Sequence, residues 1–527
     1  MSPLNSYKVL VTTSGVGSRL GQITDYTNKS LVTIGDKPAI AHIIESYPSD
    51  ITMVVTLGYF GNHVQEFLQL CYPERSFEFI NVDKFEGPGS SLGYSMLQAK
   101  NHLNCKFIYH ACDSLIPGEE IPNLTMNWVG GYRSTDATNY ASYDVSGNEV
   151  KRFHEKGMTE FDFLHIGIIG VVDYFKFWNE LEKLIQINAE NSALNDVSVI
   201  EKLINKGIKF YSKEFINWFD IGNSNSLRLA RKSLGKNLNI LPKNQESVSF
   251  IDESVIKFFA DPLIVKNRVL RTKYLGDCIP KLEGATAHFY RYKYEKGKLA
   301  AGVNNPDMMN DLLFWAKNNL WMEHNESLPA DFNEVCKEFY IEKSRNRLED
   351  FFKTRGIQDA VTVINGNTVP SAKELISKAE SLILGSSRVT KFHGDFILDN
   401  VIITDTGFKL IDWRQDFGGS IELGDMYYDL AKLNHSLYVS HDIVNENQFF
   451  IYENNGEVEC GIRRKDVHVK MEILLEKFIS VHNLDILKIK ILTPLIWLNM
   501  SPLHHHPFDI FLFHYGKFNL WKALNEL

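Results

Sequence analysis

Over the first 230 residues, short apolar runs alternate with stretches of helical period, and this alternation restricts the fold more than any other feature. KVLVTT (8–13), ITMVVTLG (51–58), FEFINVD (77–83) and KFIYHACD (106–113) read as strands. Between them, Ala39–Tyr47, Asn62–Leu70 and Ser91–Lys100 carry apolar residues at helical spacing. Strands separated by helices are joined by crossovers, so they lie mostly parallel in one sheet with helices on its faces. Two amphipathic helices follow, WNELEKLIQI and VSVIEKLINKG, the second closed by Gly207. The expectation is an α/β domain over residues 1–232, Rossmann-like, with a mixed, mostly parallel sheet.

A chain of 527 residues exceeds one core, since domains run to roughly 100–200 residues. Residues 231–246, RKSLGKNLNILPKNQE, are polar and lack a period, which places a linker at 233–246. A second start follows: SVSFIDESVIKFFAD reads as two short strands around a turn, and LIVKNRVLRTKYL as a helix. From about residue 306 the pattern is mainly helical and aromatic-rich, broken at 391–413.

The net charge of −9 and the lack of a dense Lys/Arg stripe argue against a nucleic-acid binder, whose affinity rests on neutralising phosphates. Six cysteines with no CxxC pair read as reduced, buried thiols. MSPLNSYKVLVTT does not resemble a signal peptide, and apolar runs such as ILTPLIWLNM fall short of the ~20 residues of a membrane helix. A cytoplasmic protein without membrane insertion is expected.

The first strand runs into LVTTSGVGSRLGQITDYTNKSLVTIGDKP, residues 10–38. A Walker loop needs GxxxxGK[ST], which is not present here. A dinucleotide fingerprint needs G-x-G-x-x-G; Gly15 and Gly17 fit, but Leu20 stands at the third position and Gly21 comes one residue late. The remaining mechanism uses glycines to let backbone N–H groups approach phosphates, with Arg19 and Lys29 as cations.

These residues resemble the signature of the nucleotidyltransferases that make NDP-sugars, G-x-G-x-R-L followed by P-K-x-L, with Asn28 in place of the proline as in phosphocholine cytidylyltransferase-like members. Three later segments fall in the family's order: IYHACDSL with Asp113, VKRFHEKG with FLHIGIIGV, and NWFDIGNSNSLRLA with Asp220. The resemblance implies that Ser14, Gly15, Gly17 and Ser18 cradle the nucleotide, that Arg19 and Lys29 are catalytic, and that Asp113 and Asp220 hold Mg²⁺. It also implies that Glu155 and Lys156 hold the substrate's sugar and phosphate, although Gly157 replaces a proline and His165 stands near the usual asparagine. In the family, KFEGPGSSLGYSMLQAK (84–100), with Gly89, contacts base and sugar; the residues alone fit a helix N-cap by Ser90 or Ser91 equally well. The chemistry suits the residue types. A phosphate attacks the α-phosphorus of an NTP and both partners are anionic, so catalysis is neutralisation and alignment. Mg²⁺ takes one or two carboxylates plus phosphate oxygens.

KFHGDFILDNVIITDTGFKLIDWRQDFGG (391–419) resembles the core of the aminoglycoside phosphotransferase and choline kinase families, H-G-D-x4-N followed by I-D-W/F. The D-x4-N spacing is shared with protein kinases. The resemblance implies a protein-kinase-like, two-lobed α+β domain with lobes at 247–305 and 306–527. Asp395 would meet the acceptor hydroxyl, Asn400 and Asp412 would hold Mg²⁺, and Lys257 would clamp the ATP phosphates. The helix expected at 262–275 contains no glutamate to partner Lys257, for which an exposed strand lysine is the alternative reading. Asp429, in LGDMYYDLAKL, would order the loop from a helix beneath it. The histidines of SPLHHHPFDIF cannot all face one ion from a regular element, so packing is expected for 504–506, with a substrate-pocket lining or a metal site as the alternatives.

A kinase makes a phosphomonoester and a nucleotidyltransferase consumes one. The implied reaction is phosphorylation of a small hydroxyl compound, a sugar or polyol, by ATP. Transfer of a nucleotidyl group from a second NTP (CTP, GTP or UTP) follows, giving a precursor for surface polysaccharide. The alternative is choline kinase with phosphocholine cytidylyltransferase. A pseudoenzyme would be expected to have lost a metal ligand, and an antibiotic-modifying phosphotransferase explains the second half only.

Overall fold

The computed structural model describes residues 7–235, 245–322 and 331–526. The chain divides into two compact units, one running to Val265 with Glu283–Tyr292, the other Lys266–Leu282 with the chain from Lys293 onward.

The first unit opens with β1 (Lys8–Thr12), α1 (Ala39–Glu45), β2 (Met53–Leu57), α2 (Gly61–Cys71), β3 (Phe77–Asn81), α3 (Leu92–Gln98) and β4 (Phe107–Ala111). It continues through β5 (Ser114–Leu115), β6 (Trp128–Tyr132), β7 (Ser142–Ser146), β8 (Glu149–His154), β9 (Phe163–Val171), α4 (Tyr174–Ile187), α5 (Asp196–Asn205), β10 (Tyr211–Glu214), β11 (Phe219–Asp220) and α6 (Ser224–Leu234). The main sheet has the order β3-β2-β1-β4-β9-β6-β10-β8-β7. β3, β2, β1 and β4 are parallel, β9 runs antiparallel to β4, and β10 returns parallel to β6. The expected mixed, Rossmann-like sheet is therefore present. Its order reverses at β1, where the C-terminal edge of such a sheet opens a crevice for ligands. Along β1, Val9 and Val11 enter one core and Leu10 the other, because successive side chains point to opposite faces of a strand.

The expected division at 233–246 is not where the compact units part; residues 236–244 of that stretch lie outside the described residues. β12 (Glu246–Ile251), β13 (Ser254–Phe259), β14 (Leu282–Ala285) and β15 (Phe289–Lys293) form a four-stranded sheet of order β12-β13-β15-β14. Ile251, Ile256, Phe258 and Phe289 join the core that holds Val9, Val55 and Phe67. The physical reason is burial: each such side chain gains about 1.5–3 kcal/mol by leaving water. Glu66 of α2 adds a polar tie, accepting from His288 N–H at 2.8 Å. Lys257 stands half-buried on β13, within the first unit.

α7 (Pro262–Leu275) belongs to the second unit from Lys266 onward. There follow α8 (Met308–Asn319), α9 (Lys343–Arg355), α10 (Ala372–Ile383), β16 (Val389–Lys391), the hairpin β17 (Val401–Thr404) and β18 (Gly407–Leu410), and β19 (Leu423–Asp425). Then come α11 (Met426–Tyr438), α12 (Asp466–Val481), α13 (Ile486–Met500) and α14 (Phe508–Asn525). With its short turn, α13 makes an 18-residue stretch, Ile486–Leu503, of mean hydropathy 1.2, long and apolar enough to cross a membrane. The apolar run is thus longer than the sequence reading allowed. In this fold it is a core helix, 61% buried. Lys488 on it is fully buried and paired with Asp425 at 2.9 Å. The six cysteines are unpaired, and all but Cys105 are buried.

Candidate functional sites

In the first unit, β1 ends at the glycine turn and β4 at Asp113, on neighbouring parallel strands. Gly17 has φ 73°, and a Cβ there would stand 3.0 Å from Lys29 Cβ. Only glycine lets the turn lie against Lys29 in this conformation. Gly15 has open space around its Cβ position, as a backbone-lined cradle requires. Ser14 is buried and hydrogen-bonds Ser95 on α3 at 2.8 Å. Ser18 and Arg19 are exposed.

Asn28, fully buried, explains its own departure from proline. Its Nδ2 donates to Thr13 O (2.8 Å) and Tyr59 O (2.6 Å), while its Oδ1 accepts from Ser30 N–H (2.9 Å). The backbone, φ −71° and ψ 145°, is one proline adopts; the amide adds the ties that fix the start of the Lys29 turn. Lys29 Nζ lies 3.2 Å from Asp113 Oδ2. Burial works against both charges, but each outweighs it for the other. Lys29 is held above the usual lysine range, with help from Cys112, and Asp113 below the usual carboxylate range, with help from Arg19.

β11 pairs antiparallel with β5, setting Asp220 opposite Ser114. A Cβ on Gly222 would stand 3.1 Å from Asp220 Oδ1, 3.2 Å from Asp113 Oδ2 and 3.5 Å from Arg19 Nη2. Both carboxylates and the arginine therefore converge on one small space. Burial raises the Asp220 carboxyl pKa and the Asp113 charge raises it further, against bonds from Ser226, Gly222 and Tyr140. Two converging carboxylates of this kind favour a cation between them, and the hard oxygen donors suit Mg²⁺ completed by phosphate oxygens. Among the described residues no group of three or more His, Cys, Asp or Glu could hold a metal by itself.

Glu155 and Lys156 are exposed, on a turn tied to Ala137 by the Gly157 N–H (2.8 Å), and the structure gives them no contact with the two aspartates. Gly89 is buried with φ 82°. Ser91 caps α3, accepting from Tyr94 N–H at 3.0 Å, as one of the two readings of that segment required. His165 pairs with Asp196 at 2.7 Å, both buried. Sequence reading missed Tyr140, whose hydroxyl donates to Asp220 Oδ2 at 3.2 Å, the Trp218 ring 5.1 Å from the Tyr140 ring, and the Tyr132 ring 5.3 Å from that of Trp218. Only Trp218 lay in a quoted motif.

In the second unit, α11 presents Asp429 beneath the HGD loop. Its carboxylate accepts from His393 N–H (2.7 Å), Gly394 N–H (2.7 Å) and Trp321 Nε1–H (3.1 Å). Asp395 is held by Lys432 Nζ at 2.7 Å and by Asn400 Nδ2, which donates to its backbone O (2.9 Å) and Oδ2 (3.1 Å). Burial opposes ionisation of Asp395, but Lys432, His393 and Arg414 outweigh it and hold the carboxyl well below the usual range. Asn400 O accepts from Ile411 N–H at 2.9 Å, which brings Asp412 next to the loop. Asp412 has φ 57°, and Arg268 on α7 lies 3.9 Å from it. The side chains of Asp395 and Asp412 stay 37% and 34% exposed, enough for a ligand to reach them.

α7 has no glutamate and offers arginines instead. Arg271, 1% exposed, donates to the carbonyls of Phe392, His393, Arg414 and Ile421 and stacks on Phe392 at 3.8 Å. It stitches the HGD loop to the IDW strand end, a role for which its sequence position gave no signal. Lys432 could have been found: it follows Asp429 by three residues, on the same helix face. Of the 504–506 histidines, His504 packs edge-on against Phe508 at 5.1 Å and His506 lies 3.6 Å from Asp509.

No family model matches the chain. Its N-terminal part is similar to the bifunctional protein GlmU of Methanococcus vannielii, 25% identical over 240 residues, which are 44% of this chain and 55% of that protein. The chain thus spans about half the length of that curated relative. Among solved structures, the CTP:phosphocholine cytidylyltransferase of Streptococcus pneumoniae aligns at TM-score 0.37 and 20% identity, over 44% of this chain and 99% of that one. The inositol-1-phosphate CTP transferase of T. maritima aligns at TM-score 0.36 and 16% identity, over 46% of this chain and all of that one. The first unit of this chain is a mixed α/β domain of Rossmann-like order, whose glycine turn, Asp113 and Asp220 meet at one sheet edge.

Proposed function

We propose that the chain is a bifunctional enzyme which phosphorylates a small hydroxyl compound with ATP and then couples the product to a nucleotidyl group from a second NTP. The observation that carries the second step is the convergence of Asp113, Asp220 and Arg19 on the space around Gly222, with Lys29 bound to Asp113. Mg²⁺ held by the two aspartates would neutralise the NTP phosphates. The substrate's phosphate oxygen attacks the α-phosphorus, the bond to pyrophosphate breaks, and no proton needs to move. Arg19 stabilises the leaving pyrophosphate, Lys29 the charge at the α-phosphorus, and the backbone of Ser14, Gly15, Gly17 and Ser18 orients the chain of phosphates. Lys156 and Glu155, with the Gly89 segment, complete the substrate side.

The first step is assigned to the HGD loop. Asn400 and Asp412 would hold Mg²⁺ on the ATP phosphates. The acceptor oxygen attacks the γ-phosphorus and the bond to ADP breaks. Asp395, kept ionised by Lys432, accepts the hydrogen bond of the acceptor hydroxyl, aims it, and takes its proton as the bond to ADP breaks. So acidic a carboxylate is a poor early base, which suits the loose transition state of phosphoryl transfer. Sugars and polyols are the favoured acceptors, and the product class feeds surface polysaccharide synthesis. Phosphocholine stays open as a second reading: Tyr132, Tyr140 and Trp218 cluster beside Asp220, and such rings hold quaternary ammonium groups. Rings also stack on sugar faces, so the cluster serves either substrate.

Mass spectrometry of products from sugars, polyols and choline, with ATP and each NTP, tests the proposal. Asp395→Ala should abolish phosphorylation and leave conversion of supplied phosphoester intact; Asp113→Ala should do the reverse. Loss of both half-reactions in either folded variant would sink the two-site reading.

A further inference from the structure

We infer that the acceptor of the kinase half carries an anionic group, a carboxylate or a phosphate, besides the hydroxyl that is phosphorylated. The inference rests on the kinase reading for the words "acceptor" and "hydroxyl", and on side-chain geometry for the anion. Four basic side chains form a connected group that begins at Asp395. Lys432 binds it directly. Arg414 lies against Gly394, where a Cβ would come within 2.6 Å of Arg414 Cβ, and its guanidinium sits 5.0 Å from the centre of the Phe339 ring. Lys343 Nζ lies 4.4 Å from the same ring centre. Arg347 stands one turn further along α9, on the same face.

Only one of the four is neutralised by contact. Among the described residues, Lys343, Arg347 and Arg414 have no carboxylate within 4.0 Å; Arg347 donates to Asn499 O at 3.2 Å, and Arg414 Nε to Asp416 O at 3.1 Å. Burial, with the charges of Arg414, Arg347 and Lys432 against the pull of Asp416, lowers the Lys343 pKa to about 6, so an anion beside it is what would restore its charge. Like charges held together in a half-buried site cost free energy unless an anion joins them. Arg347 and Arg414 also offer planar forks that suit a carboxylate or phosphate. A quaternary ammonium acceptor would meet repulsion here, although the rings of Phe339 and Tyr428, 4.9 Å apart, would otherwise suit it.

The test uses the full-length protein and five probes: galacturonate, galactose 6-phosphate, galactose, choline and ATP. Calorimetry should show binding of one or both anionic sugars at least ~10-fold tighter than galactose, the worth of one charge-assisted hydrogen bond, with no choline binding. The two anionic probes separate a carboxylate ligand from a phosphate one. Lys343→Met and Arg347→Gln, checked for folding by thermal melts, should raise the KM of the anionic acceptor ~10-fold or more while changing its kcat little. Preference for galactose or choline, no binding of either anionic sugar, or a rise confined to the KM of ATP would each overturn the inference. Anion binding that depends on Lys343 and Arg347, with no ADP formed from any acceptor, would instead retain the anion site and overturn the kinase reading.

Discussion

Asp113 and Asp220 lie side by side because β5 and β11 pair in the register that sets Asp220 opposite Ser114, and Gly222 leaves room between the two carboxylates. Ile221 N–H, donating to Asp113 O at 2.9 Å, locks the same arrangement through the backbone. Gly222→Ala would place a methyl 3.1–3.2 Å from both carboxylates, in the space assigned to the cation and its phosphates under the proposed function. Nucleotidyl transfer should fall by ~10²-fold, the scale of a misplacement of about 1 Å, with phosphorylation retained. Pyrophosphate release and ADP release, measured separately, check this.

Asn28 makes four side-chain hydrogen bonds that no alanine can replace. Asn28→Ala should destabilise the first unit by about 2–3 kcal/mol, because the carbonyls of Thr13 and Tyr59 and the N–H of Ser30 lose their partner. It should also lower nucleotidyl transfer through Lys29, which the Asn28 cap holds against Asp113. Denaturant titration and pyrophosphate release measure the two effects; a fully stable variant would contradict the assignment.

Asp429 holds the HGD loop by two backbone N–H groups and the Trp321 indole. Asp429→Ala should cost the second unit about 3 kcal/mol or more, from the buried donors left unpaired. ATP-dependent phosphorylation should be lost, since the backbone before Asp395 is no longer fixed. A melt followed by tryptophan fluorescence, set beside kinase turnover, distinguishes a merely weakened fold from a disordered loop.

His63 is 3% exposed, stacked on Phe60 at 4.8 Å and lying 4.2 Å from the ring of His288. Burial and the His288 charge, opposed by Glu66, push its pKa from 6.5 down to about 4. The folded state thus binds fewer protons than the unfolded chain between these values. This group's stability is fully present above about pH 6.5 and is lost as pH falls toward 4. The loss comes to about 3 kcal/mol at ~1.4 kcal/mol per unit. His63→Phe should flatten that part of the stability profile. Denaturant midpoints of the two proteins, compared across this range, decide it.

Much of the candidate site's geometry was legible in the sequence, and the reason differs by residue. Asp113 and the glycine turn could be found because each directly follows a strand, and parallel strand ends share one edge. Asp395, Asn400 and Asp429 could be found because their spacing is local to one loop and one helix. Arg271, Tyr140 and the Lys343–Arg347 pair could not, since each acts on residues far along the chain and none has a local signature. The compact units part after Val265 rather than at 233–246 for a related reason: polar composition interrupts the periodic pattern, but whether the strands after it leave the first core depends on what covers their apolar side.

The sequence by itself determined the strand–helix alternation, the phosphate-binding turn and the order of the acidic motifs, because strand period, glycine geometry and short-range spacing are local properties of the chain. Only the tertiary structure decided that Asp220 meets Asp113, that Asn28 ties the turn to Lys29, and that Lys432 and Arg414 face Asp395. Those contacts arise from strand register and helix packing, in which residues distant in sequence are brought within a few ångströms by burying apolar surface elsewhere.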